Sequence, residues 1–281
     1  KLLVCNILRL SYHYQVVYLG GFFMGPLLVS RRLSGSVLPK FKLNAKRTKF
    51  QPIRWRSCIV YNVESGLQDY QRCWQIQKAL FNKAIDNQKQ GIPGSDSLLL
   101  VEHPSVYTLG RGSSLENLKF NHEHRDCPHK VFRIERGGEV TWHGPGQLVG
   151  YPILDLNFHK KDLKGYLYNI EEMIIKVLAC RGVLGGRDPE NTGVWVGDYK
   201  FCAIGVKASR WITMHGFALN VNPNLSYFDE IIPCGIHDKG VGSLQQVQPG
   251  VSMKEVRRDV INAFEEVFQV ELTIENSLPN I

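Results

Sequence analysis

A chain of 281 residues with 43% hydrophobic content can bury one large core or two small ones, and no apolar run in it reaches the length of a membrane span. The formal net charge of +8 would ordinarily raise the question of a nucleic-acid partner, but residues 1–63 hold 11 Lys or Arg and no Asp or Glu. The other 23 basic side chains stand against all 26 acidic ones, so the rest of the chain carries −3, and neither a nucleic-acid nor a membrane partner is expected for it.

The first 57 residues are basic, serine-bearing and free of acids, the composition of an organelle transit peptide. The stretch MGPLLVSRRLSGSVLPKFKLNAKRTKF from Met24 fits that description. The alternative is flanking sequence ahead of a shorter protein. Residues 58–281 are then expected to form a single domain, with no linker inside 58–270. Seven cysteines at 5, 58, 73, 127, 180, 202 and 234 form no CxxC pair, which points to reduced thiols rather than a disulfide framework.

Along the body, residues 69–86 place Tyr70, Trp74, Leu80, Phe81 and Ala84 on a helical stripe ended by Gly91, Pro93 and Gly94. Leu98 to Val101 reads as a buried strand closed by Glu102, His103 and Pro104, and residues 131–135 alternate as a second strand. Residues 166–181 carry Leu167, Ile170, Ile174, Val177 and Leu178 at helical spacing. Residues 193–206 are two β-rich runs split by Gly197-Asp198, a hairpin signal, and 211–221 continue as strand. Ser252 followed by Glu255 is a capping box opening a helix through Val256, Val260, Phe264 and Val267. This order gives an α+β domain with a single mixed, largely antiparallel sheet flanked by helices.

The chemistry concentrates in the run RGGEVTWHGPGQLVGY, Arg136 to Tyr151. Two glycines after a strand let a backbone approach a ligand closely, and Arg136 offers a planar fork of donors. Thr141 and His143 lie two apart and share a face if the run is extended. No Gly-Lys-Ser/Thr follows, so this is not a Walker loop; an Arg-Gly-Gly turn with no function is the plain alternative. Downstream, Cys234 stands between Pro233 and Gly235, in a tight turn suited to presenting a thiol. A reactive thiol needs a neighbouring cation, and Lys200, Lys207 and His215 are the candidates in the β-rich middle. Cys202, two residues from Lys200, would share that lysine's strand face and rival Cys234, although core packing is the plainer role for it. His122, His124, Cys127 and His129 crowd one loop and raise a metal-binding or scaffolding alternative, but structural zinc more often draws paired ligands from two places.

These pieces together resemble the lipoyl(octanoyl) transferases. The run RGGEVTWHGPGQLVGYPI is similar to that family's signature. Lys200 in YKFCAIGVK, His215 in HGFALNV and Cys234 in PCG match three further motifs in order and spacing, over roughly residues 58–270. The long leader and the CGIHDKGVGSLQ continuation look closest to plant plastid members. The resemblance implies the fold of the biotin and lipoate protein ligase catalytic domains and an acyltransferase activity without cofactor or metal. An octanoyl group would pass from octanoyl-acyl carrier protein to Cys234 as a thioester. It would then pass to the lysine of a lipoyl domain, as in the E2 subunits of 2-oxoacid dehydrogenases and the glycine cleavage H protein. By the same carry-over, Lys200 lowers the thiol pKa and serves as base. Arg136, Gly137, Gly138, Glu139, Val140, Thr141, Trp142, His143, Ala203, Ile204, Gly205, Gly216, Phe217 and Ala218 line the acyl site. A monomer in a plastid is expected, with the mitochondrion as the alternative compartment. An ATP-dependent lipoate or biotin ligase is the competing activity; such an enzyme does not need the PCG cysteine.

Overall fold

The computed structural model describes residues 56–280 apart from 93, 95, 126 and 233–238. The leader and Cys234, with its neighbours Pro233 and Gly235, lie outside the described residues.

In chain order the elements are β1 (Arg56–Asn62), α1 (Tyr70–Lys89), β2 (Asp96–Val101), β3 (Val106–Leu109), β4 (Lys130–Arg133), β5 (Val140–His143) and β6 (Gln147–Ile153). Then follow α2 (Leu163–Ala179), β7 (Gly186–Arg187), β8 (Gly193–Val196), β9 (Tyr199–Ser209) and β10 (Ile212–Asn220). The chain closes with β11 (Gly240–Val241), α3 (Leu244–Val247), α4 (Met253–Phe268) and β12 (Val270–Glu275).

The main sheet runs β12-β1-β2-β6-β10-β9-β8-β7, with β11 added beside β9. It is mixed and largely antiparallel: β1 pairs β2 and β12 in parallel, β11 pairs β9 in parallel, and the ladders from β2 to β7 are antiparallel. The period of two sorts its side chains between the two faces. In β6, Leu148 joins the core under α2 and α4, whereas Val149 and Tyr151 face the side covered by α1. In β2, Leu98 and Leu100 take the first face, and Leu99 and Val101 the second.

The helices follow local signals. Asp69 caps α1 by accepting from the Arg72 amide at 3.0 Å, and Tyr70, Cys73, Ile76, Gln77 and Phe81 form its buried stripe. Asp162 caps α2 in the same way, so that helix begins at Leu163, one turn earlier than its apolar spacing indicates. Ser252 caps α4 through the Glu255 amide. The reciprocal box forms instead at Ser243 and Gln246 of α3.

A second, three-stranded sheet, β4-β3-β5, was not evident from the sequence. Its strands are four residues each; alternation marked only β4, and nothing in the sequence paired it with β3 and β5. Tyr107, Leu109, Val140 and Trp142 pack there with Leu118, Phe228 and Ile231. A cleft opens between this small sheet and the main one.

Candidate active site

The cleft holds about 460 Å³, within the range of small-molecule sites. The small sheet and the turn before it contribute Arg136, Gly137, Gly138, Glu139, Val140, Thr141 and His143. From the main sheet come Ala203, Ile204 and Gly205 of β9 and Gly216, Phe217 and Ala218 of β10. Trp142 does not line it. Strand alternation turns its ring to the far side of β5, where it stacks on Tyr227 at 4.9 Å and donates Nε1–H to Ser105 Oγ.

At Gly205 and Gly216 the room left by the missing side chain is taken up by protein. A Cβ on Gly216 would overlap the Gly150 carbonyl of β6, and one on Gly205 would crowd the Arg136 stem and the Gly137 carbonyl at 3.0 Å. Gly205 thus lets the Arg136 turn lie flat on β9, where the Gly137 amide donates to Val206 O at 2.9 Å.

Beside the Arg136 guanidinium, the histidine-bearing wall is polar but neutral. Arg136 Nη2 donates to Thr108 O at 2.8 Å and to Thr108 Oγ1 at 2.9 Å. The Thr108 hydroxyl lies 3.3 Å from His143 Nε2, and His143 Nδ1 lies 2.7 Å from Gln147 Oε1. An amide oxygen only accepts, so His143 carries its proton on Nδ1 and receives the threonine O–H on Nε2. Burial pushes the His143 pKa down to about 3, with His103 adding to the shift. Behind it, His103 accepts from the Tyr151 hydroxyl at 2.8 Å and donates to Gln68 O at 2.7 Å, and burial lowers its pKa to about 4. Tyr70 of α1 stacks on His143 and closes this end of the cleft.

His215, considered above as a cation, is also neutral at neutral pH: burial takes its pKa to about 4, against the opposing pull of Glu135. Lys207 is half-buried over the Phe81 ring at 5.1 Å and does not line the cleft. Among the three candidate cations, Lys200 alone brings a positive charge to it at neutral pH.

How Lys200 reaches the cleft corrects the reading of its strand. Val194 pairs with Cys202, but Trp195 pairs with Lys200, so Phe201 is an extra residue in β9. This β-bulge breaks the period of two. Lys200 therefore shares a face with Trp195, whose ring its Nζ overlies at 4.8 Å, and both line the cleft. Cys202 and Phe201 turn to the opposite core. Cys202 is fully buried and burial raises its thiol pKa, so it is a packing residue and not a rival nucleophile.

The mouth near Lys200 is also lined by Leu163, Leu167, Glu190, Asn191, Thr192 and Lys239. Lys239 pairs with Asp188. In the histidine-bearing loop, His129 turns to Glu230 at 3.0 Å and the Cys127 thiol to the His129 carbonyl. Sequence reasoning missed Tyr70, Thr108, Gln147, Tyr151 and Trp195 as parts of the site. Gln147, Val149 and Tyr151 had an available signal, their alternation along β6; Thr108 had none.

A slot with apolar sides, neutral hydrogen-bonded histidines at one end and an amine at the other suits an uncharged chain with a reactive head. Comparison with known proteins agrees. Residues 69–265 match the lipoyl protein ligase A/B catalytic domain, and the chain belongs to that family. Its octanoyltransferases are the near relatives. The chain is 53% identical over 216 residues to the octanoyltransferase of Nostoc sp., spanning 77% of this chain and 94% of the relative. It is 51% identical over 210 residues to that of Synechococcus elongatus (75% and 88%) and 46% identical over 221 residues to that of Christiangramia forsetii (74% and 94%). The fold is shared with a lipoate-protein ligase A bound with ATP, at TM-score 0.60 and 13% identity over 79% of this chain and 89% of that one. A putative lipoate protein ligase from T. acidophilum with bound lipoic acid gives TM-score 0.58 and 14% identity over 72% and 83%. This chain is therefore an acyltransferase of the octanoyltransferase branch.

Proposed function

We propose that this protein moves an octanoyl group from the thioester of an acyl carrier protein to the lysine of a lipoyl domain, by way of a thioester on Cys234. The observation that carries the reading is the bulge in β9, which sends Lys200 to the mouth of the cleft, across from its neutral histidine wall. In the first step the Cys234 thiolate attacks the carbonyl carbon, the carrier's sulfur leaves, and it takes up a proton. In the second, the acceptor's neutral ε-amine attacks the enzyme thioester, an amide forms, and the Cys234 thiolate is regenerated. An ammonium at Lys200 favours the thiolate form. Once neutral, the same amine accepts the proton released by the attacking lysine.

Exposed Lys160, Lys161 and Lys164 surround the amino end of α2, whose Leu163 and Leu167 line the mouth. That placement supports docking of an acidic carrier there. The lipoyl domains served would be those of 2-oxoacid dehydrogenases and the glycine cleavage H protein, with the enzyme acting as a monomer. The acid-free leader and the likeness to cyanobacterial relatives support a plastid location; a fluorescent protein fused to residues 1–60 and imaged in plant cells tests it.

Intact-mass measurement after mixing with octanoyl-acyl carrier protein tests the chemistry. A gain of one octanoyl unit is expected in the wild type and none in Cys234→Ala. A gain that survives the substitution, or lipoyl-domain labelling that needs free octanoate and ATP, would overturn the reading in favour of another nucleophile or a ligase.

A further inference from the structure

The hydrogen-bonded wall does not stop at His143. Gln147 Nε2 donates to Trp142 O at 3.2 Å and to Asn220 Oδ1 at 3.0 Å, and Asn220 Nδ2 donates to Gly242 O at 2.9 Å. Gly242 in turn donates its amide to Lys200 O at 3.0 Å. The chain of bonds therefore crosses the floor of the cleft, from Arg136 through Thr108, His143, Gln147, Asn220 and Gly242 to the backbone of Lys200. Each link has one donor and one acceptor, and Thr108, Gln147 and Asn220 are buried.

The sheet topology explains why this link exists. Gln147 and Asn220 are direct cross-strand partners of β6 and β10, so their amides meet on one face. At Asn220, β10 ends, and β11 takes over the edge of β9, pairing Gly240 with Tyr199 and Val241 with Lys200. The junction of β10 and β11 falls beside the bulge that turns Lys200 inward. Gly242 sits against the bulged Phe201, where a Cβ would overlap the ring.

We infer that Asn220 and Gln147 are positioning residues: their paired amides lock the strand that bears Lys200 in register with the acyl-binding wall. This inference rests on the proposed Cys234–Lys200 chemistry. A neutral, fully paired amide bridge fixes geometry without adding a charge that would compete with the lysine. Losing one donor leaves a buried carbonyl unmatched and frees the junction to shift. Neither residue needs to touch the reacting atoms.

Asn220→Asp tests it, since aspartate keeps the shape and the acceptor for Gln147 but cannot donate to Gly242 O when ionised. Octanoyl transfer from the carrier protein should lose at least about tenfold in kcat, with KM for the donor within about twofold. The pH at which kcat rises should move upward by about one unit, and equally in Asn220→Ala, which brings no charge of its own, as Lys200 loses its placement. Gln147→Glu, which keeps the acceptor for His143 and removes the donor to Asn220, should reproduce both effects. Unchanged kcat and pH profile in folded variants would overturn the assignment. So would a loss that tracks only the folded fraction, or failure of both variants to fold by circular dichroism, since either outcome makes the bridge a stability element only. Absence of transfer by the wild type would instead sink the proposed function.

Discussion

The two ends of the cleft are built on opposite terms. At the wall, Thr108, His143, Gln147 and Asn220 are buried, neutral and paired to one another. At the mouth, Lys200, Lys239 and Glu190 are charged and partly open to water. The contrast shows a division of labour. Buried polar groups hold shape because an unpaired one costs about 1–3 kcal/mol, while charge that must take part in proton transfer is kept where solvent and substrate reach it.

Removing the mouth's amine is the strongest way to test that division. Lys200→Ala should cut kcat by about 10²–10⁴-fold, while unfolding by denaturant shifts by less than about 0.5 kcal/mol. A stability loss as large as that from a broken core contact would erase the distinction.

The wall should answer to pH instead. His143 is held at about 3 and His103 and His215 at about 4, below the ordinary value of about 6.5 that each regains on unfolding. Between those values the unfolded chain binds more protons than the native one, so stability rises with pH across that window. It is lost as pH falls from about 6.5 towards 4, each histidine contributing up to about 1.4 kcal/mol per unit. Denaturant unfolding at pH 7 and pH 5 should therefore differ by at least about 2 kcal/mol. Equal stabilities at the two pH values would mean that these rings are not held neutral.

A smaller effect is expected at the rim. Reversing Lys160, Lys161 and Lys164 to Glu should raise KM for octanoyl-acyl carrier protein about fivefold at low salt and leave octanoyl-pantetheine turnover as it was. A rise in KM for the lipoyl-domain acceptor alone would assign the lysines to the other partner.

Much of the fold was legible because helices and long strands write their period into the chain. The α1, α2 and α4 patterns, the Gly197-Asp198 hairpin and the long strand after it are all present. The β9–β10 turn was not legible, because its two central residues, Arg210 and Trp211, take the positive φ that a two-residue hairpin favours without the Asn or Gly that ordinarily marks it. Tertiary bonds hold it: Gln88 Nε2 donates to Arg210 O, and the Leu156 amide to Trp211 O.

The sequence by itself determined several of the residues that gather at the cleft, because the Arg136 run, Lys200 and the HGFALNV stretch lie in motifs that one chain presents in order. Which way several of them point was decided only by the tertiary structure. A single extra residue, Phe201, reverses every later side chain of β9, and its presence depends on the register of the β8–β9 pairing, which the hairpin signal does not specify. That reversal sets Lys200 in the cleft and Cys202 in the core. The same holds for Trp142, placed behind the wall by its neighbours Tyr227 and Phe228, and for the Asn220–Gly242 bond, which exists only because β10 ends where β11 begins.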